Sequence, residues 1–431
     1  MPLARIPRRK PNRVAMLMLH TSPLEQPGLG DAGGMNVYVV ETAKRMAQSG
    51  TQVDIFTRAT SSELALKVEL AKGVNVVHLS GGPFADLRKE ELPGQLCVLA
   101  AALARVEAHQ ERGYYDLVHS HYWLSGQLGM IAAQSWGVPL VHTMHTMAKV
   151  KNQALAEGDQ PEPSARALGE EQVVAAADAL IANTEAEGAH LVGLYGACPD
   201  RVHVVPPGVD LEKFSFKGAV GKQEARKHLG IRQDALVYSF VGRVQPHKGP
   251  DVLIRAAAEM LQHDPSLRSR LVVAIIGGAS GSNLEPQRLR ELTNWLGLND
   301  VVRFEEAVAN DSLPNWYRAS DVVNVPSYSE SFGLVALEAQ ACGTLVVASA
   351  VGGLRTAVAD GLSGLLVDGH DPKSWASVLL RLAHEPERRV LLATGAIAHA
   401  QRFDWERTAR ATLRIYEDIL NPAQAKDRAL A

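Results

Sequence analysis

Short apolar runs, each followed by a polar or glycine-rich turn and then a helix-period stretch, recur from Val14 to Ala383 of this 431-residue chain. Strands are expected at Val14–Leu19, Val53–Thr57, Val74–Leu79, Leu117–His119, Leu140–His142, Ala179–Ala182 and Val202–Val205. The layering resumes at Val237–Val241, Val272–Ile276, Val301–Phe304, Val322–Val325, Leu345–Ala348 and Gly364–Val367. Strands that alternate with helices pair in parallel and are covered on both faces, so the expected class is α/β, with the chemistry on loops at the strand carboxyl ends. The length exceeds one typical domain. Pro206, Pro207 and Gly208 break the pattern where a hinge would sit. The expected organisation is a disordered tail at 1–12, one α/β unit at 13–205, a second at 206–403, and at 404–431 a helix crossing back to the first unit, then a tail.

Composition removes several functions. Net charge is −3 with a pI of about 6.6, which gives no global field for nucleic acid or an anionic membrane. The widely spaced Cys97, Cys198 and Cys342 form neither a disulfide framework nor a zinc motif and point to a reducing compartment. With no run of signal-peptide or membrane-spanning character, a soluble cytoplasmic protein is expected. GxGxxG, GxxxxGK[ST] and GxSxG are all missing, which disfavours a dehydrogenase, a P-loop ATPase and a serine hydrolase.

What remains is a set of polar constellations on the expected loops. Pro326–Gly343 carries Glu330 just before a helix start and Glu338 about two turns further on, among apolar residues. A helix start favours anions or sugar hydroxyls, and an acid in apolar company needs a partner. The plain alternative is a solvated Glu on an ordinary helix. Phe240–Gly249 holds Arg243 and Lys248 on either side of a turn. Two fixed cations there would embrace a diphosphate and neutralise charge on a leaving phosphate; otherwise they are solvated surface charges. Gly28, Gly30, Gly33 and Gly34 form a loop ending at a helix start, and Gly277, Gly278, Gly352 and Gly353 would permit close approach to a ligand. His119, His121, His142 and His145 invite a metal, but no acid or cysteine completes a ligand set. His145 is the best ligand-facing imidazole of the four. Residues 151–166 are expected to be a surface loop, ending at Arg166, which suits a phosphate or is simply exposed.

Several of these pieces resemble a known family. GGMNVYV at 33–39, HTMHT at 142–146, VPPGVD at 205–210, FVGRVQPHKG at 240–249 and PSYSESFGLVALEAQACG at 326–343 are similar to the retaining glycosyltransferases with two Rossmann-like domains (GT-B, family GT4), which include sucrose and trehalose synthases. RKEELP, HSHYWLSGQ and HTMHTMA resemble the branch that glycosylates inositol phosphate for mycothiol biosynthesis in actinobacteria. The resemblance implies two domains facing across a deep cleft, acceptor on the first and nucleotide sugar on the second. It implies UDP-N-acetylglucosamine as donor and 1D-myo-inositol 3-phosphate as acceptor. In that family the positions of Lys89, Tyr122, Thr146 and Arg166 hold the acceptor phosphate, and those of Asn36 and Gly34 lie at the junction of acceptor and donor. His20, Gln26 and Pro27 match donor-side positions, and His145 matches a histidine at the sugar 6-hydroxyl. Arg243 and Lys248 match the diphosphate clamp, Glu330 the acid on the sugar 3-hydroxyl, and Glu338 the acid on the ribose. A magnesium position near Tyr317, Arg318, Ser320 and Thr344 is implied as structural, with no cofactor needed for transfer, and a homodimer is implied. The rival expectations are a sister transferase with another sugar-phosphate or lipid acceptor, and a non-catalytic nucleotide-sugar-binding module.

Overall fold

The computed structural model describes residues 9–28, 30–85, 87–156, 159–279 and 284–422. Two sheets organise them, parallel throughout except at one edge of the first. The first contains β1 (Arg13–Leu17), β2 (Gln52–Arg58), β3 (Lys67–Ala71), β4 (Val74–Leu79), β5 (Leu117–His121), β6 (Leu140–Thr143), β7 (Ala179–Ala182) and β8 (Val202–Val204), in the order β3-β4-β2-β1-β5-β6-β7-β8. The second contains β9 (Leu236–Val241), β10 (Leu271–Ile276), β11 (Val302–Glu305), β12 (Val322–Val325), β13 (Leu345–Ser349) and β14 (Gly364–Val367), in the order β11-β10-β9-β12-β13-β14. Both are doubly wound. In the first, β1 pairs with β2 on one side and β5 on the other; in the second, β9 lies between β10 and β12. The central strands are apolar along their length because helices cover both faces: β9 and β13 are buried at every residue.

β3 is the one strand that the apolar pattern does not reveal. It pairs antiparallel to β4 at the sheet edge, and its sequence KVELA is half-exposed and charged, as an edge strand that must not pair further tends to be.

The chain crosses between the two halves twice. It leaves the first after β8 through Val205–Val209. It returns after Phe403, and the helix Trp405–Leu420 packs on the helix Gly34–Gln48 of the first half. Trp405, Ile415 and Tyr416 are buried in one apolar cluster with Val14, Met16, Val39 and Ile181. The crossings lie side by side, with Val209 bridging to Asp404.

Residues 9–12 depart from the expected free tail. Arg9 donates to Asp116 Oδ1 at 2.5 Å, Asn12 N donates to Oδ2 at 2.7 Å, and Arg9 N reaches Asn421 Oδ1 at 3.1 Å. A single buried carboxylate at the foot of β5 draws in the start of the chain. The remainder of the expected tail, residues 1–8, lies outside the described residues.

Gly208 is the tightest point of the crossing. A Cβ there would lie 2.4 Å from Trp405 N and 2.5 Å from the Asp404 carbonyl carbon. Because backbone cannot swing aside as a side chain can, Gly208→Ala should destabilise the protein by about 1–3 kcal/mol. Urea unfolding checks this, and an unchanged midpoint would contradict the packing described.

Candidate active site in the cleft

The carboxyl ends of the two sheets face each other across a cleft of about 630 Å³ lined by both halves. The halves also touch at its rim. Gln26 donates to the Val308 carbonyl at 3.1 Å, and Arg243 lies 3.7 Å from Asp31.

On the first-half wall, Arg166 is central. It is not the surface arginine that a polar 151–166 loop would carry. The helix Ser164–Ala176 begins before it, and its side chain is only 4% exposed. Its Nε donates to Glu170 at 2.8 Å, Nη1 pairs with Glu162 at 2.8 Å, and Nη2 donates to Thr146 Oγ1 at 2.8 Å. Burial works against its charge, but Tyr122, Glu170 and Glu162 more than restore it. Tyr122 lies under the guanidinium at 5.0 Å and against His20 at 4.2 Å. Lys89 lines the same wall with its side chain 43% exposed. The short helix Ala148–Asn152 takes up the first two residues of the expected 151–166 loop and brings Lys151 to Glu162.

Tyr122 and His145 each follow a strand and adopt positive φ, 71° and 59°, a strained region for such residues. Both line the cleft. Burial lowers the His145 imidazole to about 3 and His142 to about 3, and holds His119 and His121 well below the usual range. These rings bond to one another and to hydroxyls: His142 Nδ1 to Ser120 Oγ at 2.8 Å, and His121 Nδ1 to His145 Nε2 at 2.9 Å. Among the described residues no group of three or more His, Cys, Asp or Glu is arranged to hold a metal ion.

On the opposite wall, Arg243 and Lys248 flank a 3-10 turn at Pro246–Lys248. Lys248 Nζ donates to Glu330 Oε2 at 2.6 Å. Glu338 is one turn inside the helix Leu334–Ala341, 8% exposed, and accepts from the Tyr317 hydroxyl at 2.6 Å. His247, between the cations, is pushed down to about 2 by burial and then by Lys248, Lys151, Arg243 and Lys89. That imidazole thus senses cations from both walls. His20 is lowered to about 4 by burial, which outweighs Asp31, with Arg243, Arg166 and Lys89 adding to the fall.

Of the expected site residues, His20, Pro27, Gly34, Lys89, Tyr122, His145, Thr146, Arg166, Arg243, Lys248, Glu330 and Glu338 line the cleft. Tyr317 of the implied magnesium position lines it too, whereas Arg318, Ser320 and Thr344 do not, nor do two of the expected substrate residues, Gln26 and Asn36. Gln26 is spent on the rim contact. Asn36 is buried and holds the glycine loop: its Oδ1 accepts from Gly33 N at 2.9 Å, and its Nδ2 donates to Thr21 Oγ1 and the Ser22 carbonyl. The close approaches at Gly277, Gly352 and Gly353 are to backbone: a Cβ would meet the carbonyls of Gly242, Glu330 and Ser331 at 1.8, 2.3 and 2.2 Å. These glycines let neighbouring loops stack.

The four residues of the implied magnesium position meet at one corner, where they bond to protein. Thr344 Oγ1 donates to the Tyr317 carbonyl at 2.7 Å, Ser320 Oγ to the Trp316 carbonyl, and Arg318 to the carbonyls of Ser215 and Lys213. None of the four supplies a carboxylate, and Arg318 brings a positive charge. An ion at this corner would have to be held by backbone carbonyls, hydroxyls and water.

Asp31, His247, Asn183 and Glu187 also line the cleft and were not anticipated. Asp31 stands in the glycine loop, and its pairing with Arg243 is a contact between distant segments that no local pattern encodes. Asn183 and Glu187 belong to the turn and helix after β7, Glu185–Tyr195, whose weak periodicity hides it.

Two family descriptions match the chain: Glycosyl transferase 4-like domain over residues 33–208, and Glycosyl transferases group 1 over residues 221–398. The chain is 58% identical over 420 residues to the D-inositol 3-phosphate glycosyltransferase of Thermomonospora curvata, covering 96% of this chain and 97% of that one. It is 61% identical over 406 residues to the D-inositol 3-phosphate glycosyltransferase of Kribbella flavida, covering 94% and 95%. Among solved structures, the sucrose-phosphate synthase of Thermosynechococcus elongatus superposes with a TM-score of 0.87 at 30% identity, covering 95% of this chain and all of that one.

Burial pushes the Glu338 carboxyl up to about 7, against the Tyr317 hydroxyl that donates to it. A carboxyl raised on folding stabilises most below its unfolded value, 4.5, and that contribution is lost as pH climbs to about 7. Glu338→Gln removes the dependence. Relative to the parent, the variant should therefore gain stability between pH 5 and pH 8, by roughly 3 kcal/mol at most. Denaturant titrations of both proteins at the two pH values test this, and a pH-independent difference would refute it.

Proposed function

The chain belongs to the D-inositol 3-phosphate glycosyltransferases, and on that premise we propose that it transfers N-acetylglucosamine from UDP-N-acetylglucosamine to 1D-myo-inositol 3-phosphate. The products are UDP and the N-acetylglucosaminyl-inositol phosphate, with the anomeric configuration retained, as the first step of mycothiol biosynthesis. The observation that carries this reading is the division of positive charge across one cleft. Lys89 and Arg166 stand on one wall, Arg243 and Lys248 on the other. A single phosphate site would need only one such group; a phosphorylated acceptor facing a diphosphate donor needs two.

Each role follows from chemistry. Arg243 and Lys248 take the diphosphate and stabilise the charge that grows on it as the bond from the anomeric carbon to the phosphate oxygen breaks. Lys89, Tyr122, Thr146 and Arg166 take the acceptor phosphate and aim a ring hydroxyl at the same carbon. The new bond forms on the face that UDP leaves, and the hydroxyl proton passes to the departing β-phosphate oxygen. Glu330 and His145 hold sugar hydroxyls, and Glu338 holds the ribose. The two acids face separate partners, Lys248 and Tyr317, which suits hydroxyl binding better than a two-carboxylate covalent mechanism. The transfer as written uses no metal, because the two cations supply the countercharge.

The described helices include none long and apolar enough to cross a membrane. A cytoplasmic location belongs to the same reading, supported by the UDP-sugar donor and by unpaired Cys97, Cys198 and Cys342. A homodimer also belongs to it, supported by the family resemblance.

Release of UDP from a panel of UDP-sugars, with and without inositol phosphates, tests the proposal. Fast release is expected only with UDP-N-acetylglucosamine and inositol 3-phosphate together, and an α-anomeric product from the α-linked donor. Release indifferent to the inositol phosphate would overturn the acceptor assignment. Arg243→Ala and Lys248→Ala should each lower kcat by about 10²–10³. Lys89→Ala should raise KM for the inositol phosphate on the order of tenfold and leave KM for the donor unchanged. Lys89 is the better probe of that wall, since Arg166→Ala would also leave the fully buried Glu170 carboxylate without its cation, held only by Ala148 N and the Tyr195 hydroxyl.

A further inference from the structure

The floor of the first-half wall is a chain of buried rings that begins on the last helix of the protein. The hydroxyl of Tyr416, itself fully buried, lies 2.6 Å from His119 Nδ1. The other His119 nitrogen, Nε2, lies 2.9 Å from Thr143 Oγ1. Held at both nitrogens, the His119 ring packs against His121 with centroids 4.1 Å apart. His121 Nδ1 in turn meets His145 Nε2 at 2.9 Å. A second route runs beside the first: Trp405, also on the last helix, meets the edge of Tyr38, which meets His145 at 5.1 Å. The last described helix, Trp405–Leu420, therefore braces the strained imidazole that opens on the cleft.

The hydrogen bonding also decides where the protons sit. His121 Nε2 is buried and meets no protein partner among the described residues. A buried N–H left unpaired is rarer and costlier than a bare acceptor, so His121 carries its proton on Nδ1 and donates it to His145 Nε2. Burial keeps His145 neutral, and its remaining proton is then on Nδ1, the nitrogen left for a ligand. A neutral ring with its donor fixed toward the cleft bonds to a sugar oxygen without competing for the phosphate countercharge.

We propose that Tyr416 is a positioning residue for the transfer: by pinning His119, and through it His121, it holds His145 as the Nδ1–H tautomer facing the donor sugar. The choice of ligand rests on the reading of the cleft given above, but the tautomer does not, because it is a property of the free protein.

The test is nitrogen-15 NMR of the histidine rings in the full-length protein, alongside kinetics of Tyr416→Phe. In the parent, His145 should show the Nδ1–H pattern unchanged from pH 5.5 to pH 8. In Y416F, which keeps the ring and loses only the hydroxyl, that pattern should give way to a mixture, and kcat should fall on the order of tenfold with both KM values within about twofold. Y416F that retains the pattern, or that retains kcat, overturns the proposal. If Y416F does not fold, H119F, which removes both hydrogen bonds that hold the same ring, takes its place: an unchanged Nδ1–H pattern at His145 overturns the proposal, and a mixture upholds it. A correct tautomer in a protein that does not release UDP would count against the cleft reading and not against the brace.

Discussion

Crowding like charges in a cavity is unfavourable, and this cleft gathers Lys89, Lys151, Arg166, Arg243 and Lys248. The surrounding structure is arranged to tolerate that. Glu162 and Glu170 hold Arg166, Glu162 also pairs with Lys151, Asp31 stands opposite Arg243, and Glu330 holds Lys248. Glu162 and Glu170 stand outside the cleft lining, whereas Asp31 and Glu330 line it beside their cations. His247 is lowered by burial first and then by Lys248, Lys151, Arg243 and Lys89, cations from both walls, and cations gathered in one cleft favour anionic ligands there.

Most of the framework could be read from the sequence, and the reasons are local. Strands such as β9 and β13 are buried at every position, so they appear as unbroken apolar runs between turns. Arg243, Lys248, Glu330 and Glu338 could be found because each sits on a short segment whose turn or helix start is marked by Pro or Gly. What could not be read depends on distant partners. At Arg166 the sequence left a phosphate fork and a plain surface arginine both open, and only Glu170, one turn on, together with Glu162 and with Thr146 from another loop, makes it a buried fork. Asn36 looked like a ligand residue but spends its amide on the loop that it closes. β3 is charged because it lies at an edge, and a charged pentapeptide carries no strand signal. The hold on residues 9–12 depends on Asp116, more than a hundred residues away.

The two walls differ in how they are held. On the second-half wall the polar groups stand on loops clasped by backbone contacts, Gly353 N to the Glu330 carbonyl and Tyr328 N to the His247 carbonyl. Close stacking at Gly277, Gly352 and Gly353 leaves little room for side chains, so these loops are stiff without a deep polar network. The first-half wall rests instead on side chains: imidazoles, hydroxyls and the Arg166 cluster. Rearranging it would strand several buried polar atoms at once. Stiffness on one side comes from shape and on the other from hydrogen bonding.

The return of the last helix to the first half has a consequence for biosynthesis. A ribosome releases Val14, Met16 and Val39 early, but the Trp405, Ile415 and Tyr416 side chains that cover them emerge some 390 residues later. The second half, contiguous in sequence, can close its own core while the earlier one still exposes an apolar face. The portion made first is thus finished last, and during that interval it is the surface on which chaperone binding or aggregation of the nascent chain would concentrate.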